Sequence, residues 1–122
     1  MVYWRRAGEV VTNREFEEWY TDLEDDPAFA VTAAVEVLEQ DGPALGRPLV
    51  DTIGGSRFPN MKELRVTAQA HELRILFVFD PRRRAVLLLG GDKTGRWRGW
   101  YRTAIPEADA LYERWLRDLD EE

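Results

Sequence analysis

The run Leu73-Arg74-Ile75-Leu76-Phe77-Val78-Phe79 is apolar at both odd and even positions after its second residue. Successive side chains of a strand alternate between faces, so such a segment has no side to give to water and must lie centrally in a sheet. Its neighbours supply the rest of that sheet. Lys62-Glu63-Leu64-Arg65-Val66-Thr67 alternates polar and apolar residues, the pattern of a half-buried strand, and Ala70-His71-Glu72 separates it from the central run. After the central strand, Asp80-Pro81-Arg82-Arg83 fits a tight turn with proline preset at the second position. Ala85 to Leu89 then reads as a third strand, and Gly90-Gly91 as its break. Three strands in meander order follow.

Upstream the apolar period is helical. After a short strand candidate at Glu9-Val10-Val11, Thr12-Asn13-Arg14-Glu15 has the Thr-x-x-Glu spacing of a capping box, and Phe16, Trp19, Tyr20 and Leu23 form one stripe. A second helix has Asp26 as its cap, Pro27 at its first position, a stripe of Val31, Ala34, Val35 and Leu38, and Gly42-Pro43 as its end. The two are expected as an antiparallel pair. Residues 42–60 hold four glycines and three prolines and read as an ordered surface connector. Ile105-Pro106 opens a third helix with the stripe Ala108, Leu111, Tyr112, Trp115 and Leu119. The expected fold class is α+β, in the order β-α-α-β-β-β-α: an antiparallel meander packed on one side by the helix pair, its other face partly open, with a C-terminal helix. A length of 122 residues predicts a single domain, 1–122.

Charge is segregated along this frame. From Arg57 to Arg102 there are eleven lysines and arginines against four acids, a net charge of +7, so the other residues carry −13 of a chain whose total is −6. An anionic ligand senses the local patch, because charge beyond about 8 Å is screened at physiological salt. An RNA or DNA phosphate therefore remains a candidate partner for an acidic chain. The absence of cysteine excludes disulfides and thiol nucleophiles, and one histidine, His71, excludes a two-histidine ribonuclease mechanism. No metal or cofactor is expected. No apolar run reaches the roughly 20 residues of a membrane span, and the start, MVYWRRAGEV, lacks the hydrophobic stretch of a secretory leader, so a cytoplasmic location is expected.

Alternation places Arg65 on the face away from Leu64 and Val66, with Glu63 and Thr67, and Arg74 opens the central strand. Lys93-Thr94-Gly95-Arg96-Trp97-Arg98-Gly99-Trp100-Tyr101-Arg102 interleaves four cations with three aromatics. Cations hold phosphates and aromatic faces stack bases, so Arg96, Trp97, Arg98 and Arg102 are candidate RNA contacts, with Lys62 on the first meander strand. RNA cleavage by attack of a 2′-hydroxyl on its neighbouring phosphate needs a proton acceptor, a cationic clamp and a donor to the leaving oxygen. The clamps are plentiful. A lysine or tyrosine of lowered pKa would have to move the proton. Arg82 to Arg84 read as a solvated hairpin tip and His71 as a solvated turn residue.

The ordered set of helix pair, GPALGRPLVDTI, ELRV and ELRILFVFDPRRRAVLLLGGDKTG, with its aromatic and basic tail, resembles the toxins of the RelE/HigB superfamily of type II toxin-antitoxin modules. The likeness is greatest to the phage-derived Gp49-like branch and covers roughly residues 9 to 119. It implies a RelE-like fold and a ribosome-dependent messenger-RNA endonuclease, an mRNA interferase, that clamps the message in the decoding site. It also implies a cognate antitoxin, typically a helix-turn-helix protein, and no membrane partner. Carried onto this chain, the catalytic set is Arg65, Arg74, Lys93 and Tyr101. There are departures: Gly90-Gly91-Asp92-Lys93-Thr94 has one lysine where the branch often has two, and the C-terminal histidine of some HigB proteins is missing. A non-catalytic toxin of the ParE type that binds DNA gyrase, or a degenerate toxin that only binds its antitoxin, is the alternative. An acidic, amphipathic antitoxin segment is expected over the basic face, because a bare cationic cleft is costly.

Overall fold

The computed structural model describes residues 9–121. The expectation of no secretory leader rests chiefly on residues 1–8 and lies outside the described part. In chain order the elements are β1 (Glu9–Thr12), α1 (Arg14–Thr21), α2 (Asp25–Asp41), a 3-10 turn (Gly42–Ala44), β2 (Val50–Thr52), β3 (Lys62–Ala68), β4 (His71–Phe79), β5 (Arg84–Asp92) and α3 (Trp97–Asp120). The strands form one sheet in the order β1-β5-β4-β3-β2. The meander β3-β4-β5 is antiparallel as expected, and β4 is its centre. Two short strands extend it: β1 pairs in parallel with β5, and β2, from the connector, pairs antiparallel with β3.

The double-sided apolarity of β4 has its physical outcome in two cores. Leu73, Ile75 and Phe77 face α1 and α2 together with Phe16, Val31 and Leu38. Leu76 and Val78 face α3 together with Val86, Leu88, Trp100 and Ala108. Ile75, Leu76, Phe77 and Val78 are fully buried, each contributing about 1.5–3 kcal/mol by leaving water. The expected open face is therefore covered along most of its length. A strand with no polar side needs a cover on each side, and α3 is the second one.

That helix starts eight residues before Ile105-Pro106, at Trp97, and carries Pro106 inside it. Proline is welcome in a first turn and so reads as a start, but here Trp100 and Ala104 are buried against the sheet and hold the earlier turns helical. The third strand likewise runs on through Gly90-Gly91 to Asp92. A Cβ on Gly90 would stand 2.2 Å from the Trp19 ring and one on Gly91 2.3 Å from Trp100 Nε1. These glycines give indoles room to lie on a continuing strand. At the N-terminal helix, Asn13 is the cap and accepts from the Phe16 amide at 2.8 Å. Thr12 donates its hydroxyl to Glu17 at 2.7 Å. α1 lies on β5 and α2 on β3, and a hydrogen bond between the Tyr20 and Thr32 hydroxyls, 2.7 Å, links the two helices.

The pairing of β4 with β5 slips by one residue: Leu76 faces Leu89 while Phe77 faces Leu87, so Leu88 is unpaired. Such a bulge reverses which residues of the strand point to each side. Before it, odd residues of β5 such as Leu87 face α1 and α2. After it, Gly91 faces Trp100 of α3, and Lys93, two residues on, is delivered to the same side.

Candidate functional site

At the end of the sheet beneath the first turns of α3, Arg65, Arg74, Lys93 and Tyr101 meet around the carboxylate of Glu63. Arg65 Nε donates to Glu63 Oε1 at 2.9 Å, and the Tyr101 hydroxyl donates to Oε2 at 2.6 Å. Arg74 Nε lies 4.0 Å from Glu63 Oε1. β3 supplies Glu63 and Arg65, β4 supplies Arg74 at the cross-strand position of Arg65, and β5 leads into Lys93. Lys93 Nζ sits 3.2 Å from the centroid of the Trp97 ring and 5.5 Å from that of Tyr101, so two aromatic faces hold the ammonium by cation–π attraction.

The loop that carries Lys93 is pinned at several points. Lys93 N donates to the Glu72 carbonyl at 3.0 Å. The Glu72 amide donates to Thr94 Oγ1 at 2.8 Å, and Asp92 accepts from the Thr94 amide at 2.9 Å. His71 Nδ1 lies 2.6 Å from Asp92 Oδ2, so this histidine ties the loop instead of standing free in a turn. Burial opposes ionisation of Asp92, but the bonds from Thr94 and His71 prevail and its pKa is lowered. Gly95, with φ +73°, makes the left-handed step before α3.

The electrostatics differ from the open cationic cleft expected. Arg65 is bridged also to Asp51 at 3.2 Å, and Arg74 to Glu72 at 3.4 Å. Three carboxylates thus face the three cations of the cluster. Arg74 and Lys93 are 5% and 3% exposed, whereas the Arg65 side chain is 37% exposed. Burial and then the positive fields of Arg74 and Arg65 lower the Lys93 pKa, the direction proton transfer requires. Tyr101 departs from expectation: burial, and then its bond to Glu63, raises its pKa to about 12. It is a proton donor at neutral pH. Arg74 Nε is buried without a hydrogen-bond partner in the structure.

Beside the cluster a groove of about 260 Å³ is lined by Asp51, Ile53, Glu63, Arg65, Tyr101 and Ile105. Arg96, just before α3, and Arg98 and Arg102, on its successive first turns, are exposed, and Trp97 is 58% exposed. Lys62 stands apart. It pairs with Thr52 and Phe77, and the two-residue period turns it to the helix-pair face, opposite Arg65. The sequence reading missed Glu63 as the hub; the alternation that put Arg65 on this face put Glu63 there too. Arg84, read as solvated, has its guanidinium on Asp80 at 2.9 Å and over the Trp115 ring.

Comparison with known proteins gives the family. Residues 18–113 match the family model described as phage derived protein Gp49-like. The chain is 50% identical over 107 residues to the candidate toxin HigB3 of Mycobacterium tuberculosis, covering 88% of this chain and 92% of that protein. It is 49% identical over 104 residues to the candidate toxin HigB2 of the same organism, covering 84% of this chain but 52% of that longer protein. No solved structure matches. The chain belongs to the Gp49-like family and is a toxin of the HigB/RelE type from a toxin-antitoxin system.

Proposed function

We propose that this toxin is a ribosome-dependent messenger-RNA endonuclease acting in the cytoplasm, with Arg65, Arg74, Lys93 and Tyr101 as its working set. The observation that carries this reading is their convergence around Glu63 on one face, with Arg96, Arg98 and Arg102 exposed beside them. In the reaction the 2′-oxygen bonds to phosphorus, the bond to the 5′-oxygen breaks, and a 2′,3′-cyclic phosphate remains. One proton leaves the 2′-hydroxyl and one reaches the 5′-oxygen. Arg65 and Arg74 offset the charge that builds on the phosphate. Lys93, whose pKa burial lowers, moves a proton. Tyr101 stays protonated and donates to a phosphate oxygen or to the leaving group. Glu63 positions Tyr101 and Arg65 through its two bonds.

The carboxylate partners favour a resting site that RNA must open. A phosphate displaces Asp51 or Glu63 from Arg65, and the ribosome, by fixing the message, offsets the cost. The same partners also support a second reading, a non-catalytic toxin of the ParE type, because Arg65 and Arg74 are already ion-paired to carboxylates. Induction of the wild type, Tyr101→Phe and Arg65→Gln in a bacterial host, with primer extension on a translated message, separates the two. Codon-phased cuts from the wild type that fall at least tenfold in both variants are expected. Growth arrest with intact messages would move the assignment to the gyrase-type reading. The antitoxin is proposed to be a helix-turn-helix protein, and the ribosome and its message are the other partners.

A further inference from the structure

The proposed reaction gives Lys93 a proton to move, yet the resting site keeps this side chain from any phosphate. Lys93 is 3% exposed, and its Nζ lies 3.2 Å from the centroid of the Trp97 ring. The cover is held differently from what lies beneath it. Arg74 is bonded to Glu72 and to the Leu73 carbonyl, and Tyr101 is tied to Glu63. The other two indoles of α3 are also fixed: Trp100 is 6% exposed, and Trp115 donates its Nε1 to Asp80 at 3.1 Å. Trp97, by contrast, is 58% exposed, and its inner face rests on the Lys93 ammonium. It stands at the first position of α3, and Arg96 before it makes no side-chain cap bond. Gly95 and Gly99, two residues to either side, have open space where a Cβ would stand. The backbone around this indole therefore has room to move.

We propose that Trp97 is a gate over Lys93, and that an unpaired nucleobase of the message opens it by stacking on the indole. The cation–π contact holds the gate shut, because the ammonium has little water of its own to turn to. A base offers the indole a broad aromatic face and so exchanges one ring contact for another. The indole swings outward with the base, and Lys93 is left facing the incoming phosphate, whose charge replaces the ring as its partner. Arg98 and Arg102, exposed on the same first turns of α3, hold the backbone of the strand that brings the base. A phosphate that arrives without a base finds Lys93 covered. A gate of this kind selects bases that are free to leave a stack, which a message held in extended form presents one at a time. The inference rests on the nuclease reading, because only there must Lys93 touch a phosphate.

Lys62 and Lys93 are the only lysines of the chain, so each can be followed without overlap. Brief acetylation of the whole protein, read by mass spectrometry with no RNA present, gives the reactivity of Lys93 with Lys62 as internal standard. Trp97→Ala is expected to raise that ratio roughly fivefold. The indole is exposed, so its removal leaves the core intact, as circular dichroism checks. An unchanged ratio in the folded variant overturns the gate. The opener is tested on the wild type by nuclear magnetic resonance with isotope-labelled lysine, in which the indole ring current displaces the Lys93 ε-methylene signal. Millimolar 2′-O-methyl triadenylate, which has no 2′-hydroxyl to attack with, is expected to return that signal toward the Lys62 position, and an abasic trinucleotide of the same charge is not. A signal moved by both oligomers, or by neither, overturns the nucleobase as opener. Neither measurement requires a cut, so failure of the nuclease reading shows separately, as an intact message beside a gate that opens.

Discussion

Tyr101 illustrates how a side chain of ordinary chemistry is set to one task. Burial and then Glu63 hold its proton, raising the pKa from 10.0 to about 12. A raised folded-state pKa stabilises the fold at pH values below the unfolded pKa, and that contribution is lost as pH rises through the folded value. The wild type should therefore lose roughly 1 kcal/mol between about pH 10 and 12 after allowance for solvent screening. Tyr101→Phe should lack that component in urea melts at the two pH values; equal losses in both proteins would contradict it. Part of this site was legible. Alternation alone put Arg65 on the face away from Leu64 and Val66, and the family likeness added Arg74, Lys93 and Tyr101. The face reached by Lys93 was not legible, because it depends on the unpaired Leu88, and nothing in Leu87-Leu88-Leu89 marks which leucine is the extra residue. Gly91 misled for a related reason. A strand-breaking residue in sequence becomes, beneath the Trp100 indole, the residue that lets the strand pass.

The two faces of the sheet are joined beyond its edge by an element-to-element tie. Arg114 of α3 grips Glu15 in the first turn of α1 with both nitrogens, at 2.9 and 2.6 Å. The Arg114 bond, with its charge, takes the Glu15 pKa from 4.5 to about 2. A depressed carboxylate pKa contributes stability that is present above the unfolded value and is lost as pH falls through the folded one. Glu15→Gln should cost about 1 kcal/mol at pH 7, since Arg114 is partly exposed, and the difference should close as pH falls from about 4.5 toward 2. Thermal melts at pH 7 and pH 2.5 measure it, and an equal deficit at both would refute the tie. Helices α1 and α2 were legible from their stripes, and Phe16, Val31, Ala34 and Leu38 are indeed buried. The first turns of α3 were not. Trp97 to Arg102 carry the arginines and glycine of a loop, and only the burial of Trp100 under the sheet makes them a helix. The parallel pairing of β1 escaped as well, since four residues of Glu-Val-Val-Thr contain no information about a strand some 75 positions away.

At the scale of the whole molecule, a sheet apolar on both sides separates two surfaces. The cation cluster lies under the start of α3, whose first turns carry the exposed Arg98 and Arg102, and a groove lined in part by Glu17, Glu36 and Glu39 lies between α1 and α2. Segregation of charge along the sequence, +7 against −13, does not carry over to the two faces of the sheet: α3 brings Glu107, Glu113 and Asp118 to the side of the cation cluster, and Lys62 turns to the other. None of the described helices is long and apolar enough to cross a membrane. The central claim concerns the first surface and is met most directly by a purified cleavage reaction: a 5′-labelled message on programmed ribosomes, with wild-type protein or Tyr101→Phe, and no other nuclease present. The account predicts cuts at fixed positions within codons that require both the ribosome and the Tyr101 hydroxyl, with products ending in a 2′,3′-cyclic phosphate. An intact message in the presence of folded wild-type protein and ribosomes would contradict it.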